Sequence, residues 1–405
     1  LAGTTTESVA TEPAPTTTES APTTTEPAPT TTEPAPTTTE PAGDDVRTMV
    51  EILASDEMNG RDNLTPGSRL ARDYIVDELE RFADPALGEG TDGYVQPFDL
   101  GTNIIALLPG GDLSDEYVII GAHYDHVGSN CGDVSAADDI CNGATDNATG
   151  VAAVIEVARS IAAEGVPRRS VLIALWDAEE DGLVGSGRYV ADPIVPLEQT
   201  VVYINFDIQG SNLLPSLANS TLLVGAETGG PNLVDAAGLA AEASTLDTLK
   251  LSLLFGQGRS DHAVFVDAGV PSVFLSDATN SCYHTVGDEL DMVDFGKLDR
   301  QLIGATVLLR TLISTDEIPV LDPAAPPTTY DDAVQMLRLV SAAEPDFALL
   351  GPEGRASAEQ YLVDLRTVVD AGPGSFDDNA NAVLLGGAGA FVGALAQVGC
   401  GPSIE

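Results

Sequence analysis

Five stretches of this 405-residue chain carry imidazoles and carboxylates at intervals suited to holding metal. His123 and Asp125 form a His-x-Asp pair, and Asp146 stands in Thr145-Asp146-Asn147-Ala148-Thr149-Gly150. Glu179 and Glu180 are adjacent, Asp207 closes Asn205-Phe206-Asp207, and His284 lies between Tyr283 and Thr285. These are the nitrogen and oxygen donors that Zn²⁺ accepts. Two such ions about 3.5–4 Å apart need a carboxylate that bridges them and further donors capping each side. Asp146 is the natural bridge. Adjacent acids on extended backbone point in opposite directions, so one of Glu179 and Glu180 can bind metal while the other faces an attacking water. Asp125, two residues from His123, is close enough to orient that imidazole or an adjacent group. All four histidines (His123, His126, His262, His284) fall in or beside such segments. In so acidic a chain a single acid is by default a solvated charge, but Asp207 and the Glu pair directly follow apolar runs.

Those runs set the architecture. Asn103–Leu108, Tyr117–Ala122, Ser170–Trp176, Thr200–Phe206, Thr221–Val224, Leu249–Phe255 and Ser272–Leu275 read as strands. Between and around them, helical spacing covers Val46–Ala54, Ser68–Phe82, Thr149–Ala163, Gly182–Val190, a segment near Asn232–Ala243, one from Asp261 and Asp294–Leu312. Strands apolar throughout that alternate with helices predict an α/β fold, a mostly parallel central sheet with helices on both faces. Open sheets of this kind keep their sites beyond the carboxyl ends of the strands, where these residues fall.

The segments Gly121-Ala122-His123-Tyr124-Asp125, Gly143 to Gly150, Asp177-Ala178-Glu179-Glu180-Asp181-Gly182-Leu183, Ile204-Asn205-Phe206-Asp207, Gly258-Arg259-Ser260-Asp261-His262 and Tyr283-His284-Thr285 resemble the M28 family of zinc aminopeptidases. The resemblance runs from about Asp44 to Ser314 and implies the zinc-exopeptidase fold, a hydrolase activity and two Zn²⁺ ions. It assigns His123 and Asp207 to one ion, Glu180 and His284 to the other, and Asp146 to both. Glu179 resembles the general base that takes a proton from water held between the ions and returns it to the leaving amine. Tyr283 resembles the oxyanion stabiliser and Arg259 a substrate-side residue, for which a structural salt bridge is an equal reading. Asp125 and Asp261 are expected to support the ligands from behind, and His126 and His262 to be structural. Relatives with a Cys before Tyr-His can pair it with a Cys a few residues on, but here Gly287 stands in that neighbourhood. Cys282 therefore pairs elsewhere, with Cys400 as one option, or stays free.

The rest of the chain bounds the setting. Acidic side chains number 63 against 17 basic, a net of −46. Residues 1–43 hold only six of the acids, so the acidity belongs to residues 44–405. That balance argues against a nucleic-acid or anionic-membrane partner, since phosphate binding needs a positive patch. An acidic surface with only Lys250 and Lys297 suits salty surroundings; a biased genome would give the same composition. Residues 1–43 repeat Thr-Thr-Thr-Glu-Pro-Ala-Pro, a tract with almost nothing apolar to bury. It predicts a disordered stalk with a reach of about 130 Å, fit to cross a cell wall, or an inert spacer. Leu1-Ala2-Gly3 resembles the end of a cleaved signal, hence a secreted or cell-surface chain. Cys131 and Cys141 flank a short acidic loop and favour a disulfide over a metal pair; the Gly128–Gly143 loop they sit in could narrow the cleft.

Residues 44–316 are thus expected to form the peptidase domain, and 317–405 a Pro-rich linker and helical extension (Tyr330–Ala343, Ala356–Ala371, Asn379–Val398) without chemistry of its own. The uncharged run Ala382–Ala396 is too short for a membrane span, so none is predicted. The function expected is a secreted di-zinc aminopeptidase acting on peptides with a free N-terminus. A glutaminyl cyclase-like transferase and a metal-free binding module on a stalk are the alternatives.

Overall fold

β-Branched and aliphatic runs build the centre of the molecule. The computed structural model describes residues 44–129, 131 and 139–400; the expected stalk, and most of the acidic loop between Cys131 and Cys141, lie outside them. Among the described residues, nine strands form one sheet: β1 (Asp84–Pro85), β2 (Val95–Phe98), β3 (Gly101–Leu108), β4 (Leu113–His123), β5 (Arg169–Trp176), β6 (Thr200–Phe206), β7 (Ser220–Val224), β8 (Asp247–Leu251) and β9 (Ser272–Ser276). Their order is β1-β3-β5-β4-β6-β9-β7-β8, with β2 also on β3. The central four, β5, β4, β6 and β9, are mutually parallel, while β3 and β7 join them antiparallel.

Strand β4 is the pivot. It pairs with β5 on one side (Ile119↔Leu172, His123↔Trp176) and with β6 on the other (Ile120↔Ile204, Gly121↔Asn205). The chain leaves β4 for β5 and then crosses to β6, so the strand order reverses at its carboxyl end, where open sheets form a crevice. Gly121 sits in that register because a Cβ there would lie 2.7 Å from the Ala174 carbonyl oxygen and 2.9 Å from the Tyr203 hydroxyl.

Alternation along the strands feeds two cores. Ile104, Val118, Ile120, Val171, Ile173, Val202 and Ile204 face α1 (Asp44–Leu53), α2 (Pro66–Leu79), α3 (Thr149–Glu164), α5 (Gly230–Ser244) and α7 (Phe295–Ser314). Ile105, Ile119, Leu172, Trp176 and Tyr203 face α4 (Val184–Ala191) and α6 (His262–Asp267). Helices therefore cover both faces. Each fully buried Leu, Ile or Val stabilises the fold by about 1.5–3 kcal/mol, which is why the site can sit on a rigid frame.

One expectation needs correction. Leu249–Phe255 is a strand only to Leu251; Leu253–Gly256 is a turn, from which Phe255 packs against the cluster formed by the C-terminal helices instead of continuing a ladder. Helices α8 (Tyr330–Ala343), α9 (Gly351–Ala371) and α10 (Asp378–Leu395) form a third core with Leu214, Val224, Leu249 and Leu251. The Asp332 carboxylate caps α8 and also accepts from the amide and hydroxyl of Ser252, both at 2.7 Å. Cys131 is bonded to Cys141 and Cys282 to Cys400, the second tying the C-terminal segment to the loop that carries His284. No helix among the described residues is long and apolar enough to cross a membrane.

Candidate metal centre

At the end of β4, His123 turns its Nε2 toward two carboxylates, 3.3 Å from Asp146 Oδ1 and 3.4 Å from Asp207 Oδ1. Across Asp146, His284 Nε2 lies 3.1 Å from Asp146 Oδ2 and 3.0 Å from Glu180 Oε2. Two donor groups result, His123/Asp146/Asp207 and His126/Asp146/Glu180/His284, and Asp146 belongs to both. Glu179 joins His123 and Glu180 in a third overlapping group. The structure thus brings together all five residues expected to bind metal, with the expected base beside them.

Local backbone explains the convergence. Asp146 rides on a turn, Ala144–Ala148, held by Asp288, whose carboxylate accepts from the Thr145 amide (3.0 Å), the Thr145 hydroxyl (2.7 Å) and the Asp146 amide (3.0 Å). The Asp146–Asn147 peptide is cis. Asn147 Nδ2 donates to the Phe206 carbonyl at 2.9 Å, tying this turn to the strand that ends at Asp207. Asp125 accepts from the amides of Glu179 (3.0 Å) and Glu180 (3.1 Å), and its carbonyl accepts from His123 Nδ1 (3.1 Å). Its carboxylate chiefly orients the Glu pair, the adjacent group, while the backbone oxygen orients the imidazole. Ala178, Ile208 and His284 adopt left-handed φ of 58°, 63° and 56°. Such conformations cost about 1–3 kcal/mol each and persist where surroundings over-determine them. Each lies beside a candidate site residue or is one.

Three residues here escaped the sequence reading. His126, taken as structural, places Nδ1 3.0 Å from Glu180 Oε1 and 3.7 Å from Asp146 Oδ2. Asp288 is the buried clamp already described. Arg61 is buried beneath the site and donates to the carbonyls of Tyr124 (3.0 Å), Leu53 (2.5 Å), Asn142 (2.6 Å) and Gly143 (3.0 Å). It joins the His123–Asp125 segment to the one leading into Asp146. Arg61→Ala leaves these carbonyls unpaired and is expected to destabilise the zinc-loaded protein by about 3–5 kcal/mol, read by denaturant unfolding. A change within about 0.5 kcal/mol, the range of a neutral surface substitution, would contradict that role.

Tyr283 stacks on His284, ring centroids 3.8 Å apart, and Arg259 lies over the Tyr283 ring at 5.9 Å. Arg259 is exposed and has no salt bridge among the described residues. Asp261 is fully buried near His123, Asp125 and Asp207. His262 stacks on Phe274 at 4.5 Å, where burial pushes its pKa down to about 4; it stands outside the donor groups.

The donor set fits zinc. Among the described residues, Asp146 Oδ2 and Asp207 Oδ1 are buried without a hydrogen-bond partner, although imidazole nitrogens lie within 3.4 Å. Lone pairs directed at a common point are what a cation satisfies. The polypeptide's own protons show the same need. Burial, then the charges of Asp261, Asp207 and Glu180, push Glu179 up to about 10 against the pull of His123. Burial works against a charged His284, but the Asp146 and Glu180 carboxylates beside it prevail and push it up to about 10. Burial raises Asp177 and Asp261 to about 7. Each holds a proton more tightly folded than unfolded, so its stabilisation is full below the unfolded value and is lost as pH rises through the folded one. Metal-stripped protein is therefore expected to lose thermal stability between about pH 5 and pH 10, while zinc-loaded protein, with cations favouring the unprotonated forms of His284 and Glu179, loses less over that range. Melting curves of both forms check this; a stripped protein whose Tm climbs with pH would contradict it.

Known proteins resemble this chain in sequence and fold. Residues 103–307 match Peptidase family M28. The chain is 29% identical over 242 residues to "Leupeptin-inactivating enzyme 1" of Streptomyces exfoliatus, covering 54% of this chain and 50% of that protein. It is 27% identical over 312 residues to a "Probable zinc metalloprotease" of Leptosphaeria maculans, covering 65% and 70%. It therefore spans only half the length of the Streptomyces protein. Among solved structures, the Legionella pneumophila LapA aminopeptidase superposes with a TM-score of 0.54 at 19% identity, over 68% of this chain and 72% of that one. Porphyromonas gingivalis glutaminyl cyclase superposes with a TM-score of 0.52 at 19% identity, over 66% and 96%. At such identities these likenesses show the fold alone.

Proposed function

The chain belongs to Peptidase family M28, and on that premise we propose that it is a secreted di-zinc aminopeptidase that removes N-terminal residues from peptides. The observation that carries the reading is the pair of donor groups meeting at Asp146. His123 and Asp207 would hold one ion, Glu180 and His284 the other, and Asp146 both. Zinc bound there supplies a Lewis acid that polarises the scissile carbonyl and makes water acidic.

The protein's own groups do the rest. Glu179, within reach of His123 and Glu180 but outside the proposed ligand set, takes the proton of the attacking water and delivers it to the leaving amine. Asp125 fixes that carboxylate through the Glu179 amide. Tyr283, braced on His284, offers its hydroxyl to the developing oxyanion, and acids around the site hold the free α-amine. Arg259 is the substrate-side cation and Asp261 supports His123 from behind. Residues 44–316 form the peptidase unit and 317–405 an appended extension. Both disulfides suit an oxidising compartment.

Fold likeness does not separate an aminopeptidase from a glutaminyl cyclase, but retention of His123 together with a bridging Asp146 favours two ions and hydrolysis. The metal-free binding module is disfavoured by the intact donor set. Zinc-loaded protein is to be assayed on aminoacyl-anilides and on the same compounds N-acylated. Cleavage of free amines alone supports the proposal; equal cleavage of blocked substrates, or cyclisation of N-terminal glutamine without hydrolysis, overturns it.

A further inference from the structure

We propose that His126 is a third imidazole donor at this centre, so that one zinc is held by four side chains and the other by three. The proposal rests on the two-zinc reading above.

Bond lengths of about 2.0–2.2 Å from zinc to nitrogen and oxygen put the donors of a tetrahedral site about 3.3–3.6 Å apart. Around Glu180 and Asp146 the separations bracket that value. His126 Nδ1 to Glu180 Oε1 is 3.0 Å, His126 Nδ1 to Asp146 Oδ2 is 3.7 Å, and His284 Nε2 lies 3.1 Å from Asp146 Oδ2 and 3.0 Å from Glu180 Oε2. The four donor atoms lie within 4.8 Å of one another, giving a two-nitrogen, two-oxygen set. On the other side, among the described residues, the group with Asp146 is His123 and Asp207, His123 Nε2 lying 3.3 Å from Asp146 Oδ1 and 3.4 Å from Asp207 Oδ1.

The imidazole of His126 is held in place for this. Its side chain has no exposed surface, and among the described residues its Nε2 has no hydrogen-bond partner, so its polar reach is through Nδ1 alone. Gly143, at φ +57°, packs on the ring so closely that a Cβ there would lie 2.5 Å from His126 Cδ2. The same wall is fixed by the Cys131–Cys141 disulfide and by hydrogen bonds from Cys141 to Gly128 (2.9 Å) and from Gly128 to Gly60 (3.1 Å). A closed four-donor site holds its ion, whereas a three-donor site leaves a position for water and substrate. The two sites are therefore unequal, with the His126 side the tighter.

Zinc-edge X-ray absorption on protein loaded to saturation, with the metal content measured in parallel, tests this. The proposal expects three imidazoles shared between two ions in the natural protein, and two in His126→Asn. A count of two imidazoles for two ions in the natural protein would overturn the role of His126 and leave the two-zinc reading standing. Saturation below two zinc per chain would overturn that reading and this inference with it. The count on the natural protein decides the matter even where His126→Asn fails to fold.

Discussion

Glu179→Gln is expected to lower kcat by about 10²–10⁴-fold while both zinc ions stay bound, the loss caused by removing a positioned general base. The substitution keeps the side chain's shape and replaces a carboxylate with an amide that cannot take a proton. The Glu179 amide remains fixed by Asp125, so the local backbone has no reason to move. Folding has no reason to suffer either. Burial already drives the Glu179 carboxyl up to about 10 on the polypeptide alone, so a neutral isostere relieves that penalty. Zinc content, kcat and Tm are measured together. Turnover within a few-fold of the natural protein would remove Glu179 from the mechanism, and loss of zinc would make it a ligand instead.

Asp146→Ala is expected to release both ions and reduce activity to background. Removing partners outside the ligand shell already costs about 10–100-fold in metal affinity, and a shared ligand should cost more, at both sites together. Its oxygens face opposite ways, Oδ1 toward His123 and Oδ2 toward His284. His123→Ala or His284→Ala removes a donor from one group, whereas Asp146→Ala removes one from each. Zinc titrations compare them. One ion retained at natural affinity in Asp146→Ala would show that the two groups do not share this carboxylate.

Much of the fold and the site is legible in the residues alone. The central strands read clearly because a strand buried on both faces is apolar throughout, and Thr200–Phe206 begins and ends where its composition changes. Strands β1 and β2 are not: they are short, and they pair on the outer side of β3 without a periodic pattern. The donors could be read because acids that directly follow buried strands stand out from surface charge. Arg61 and Asp288 could not. In a chain with 63 acidic side chains a buried clamp such as Asp288 has the same sequence signature as a solvated one. His126 offered a weak signal, a third polar residue in His123-Tyr124-Asp125-His126, and only the packing of Gly143 against its ring shows where it points. The Cys282–Cys400 bond was one of two options in the sequence, and choosing between them needed the C-terminal segment to be placed beside the His284 loop.

The claim on which the account turns is that Asp146 joins two ions. Anomalous diffraction at the zinc edge from zinc-loaded crystals tests it most directly. Two peaks about 3.5–4 Å apart are expected, one on each side of the Asp146 carboxylate. A single peak, or two peaks of which only one touches Asp146, would contradict it.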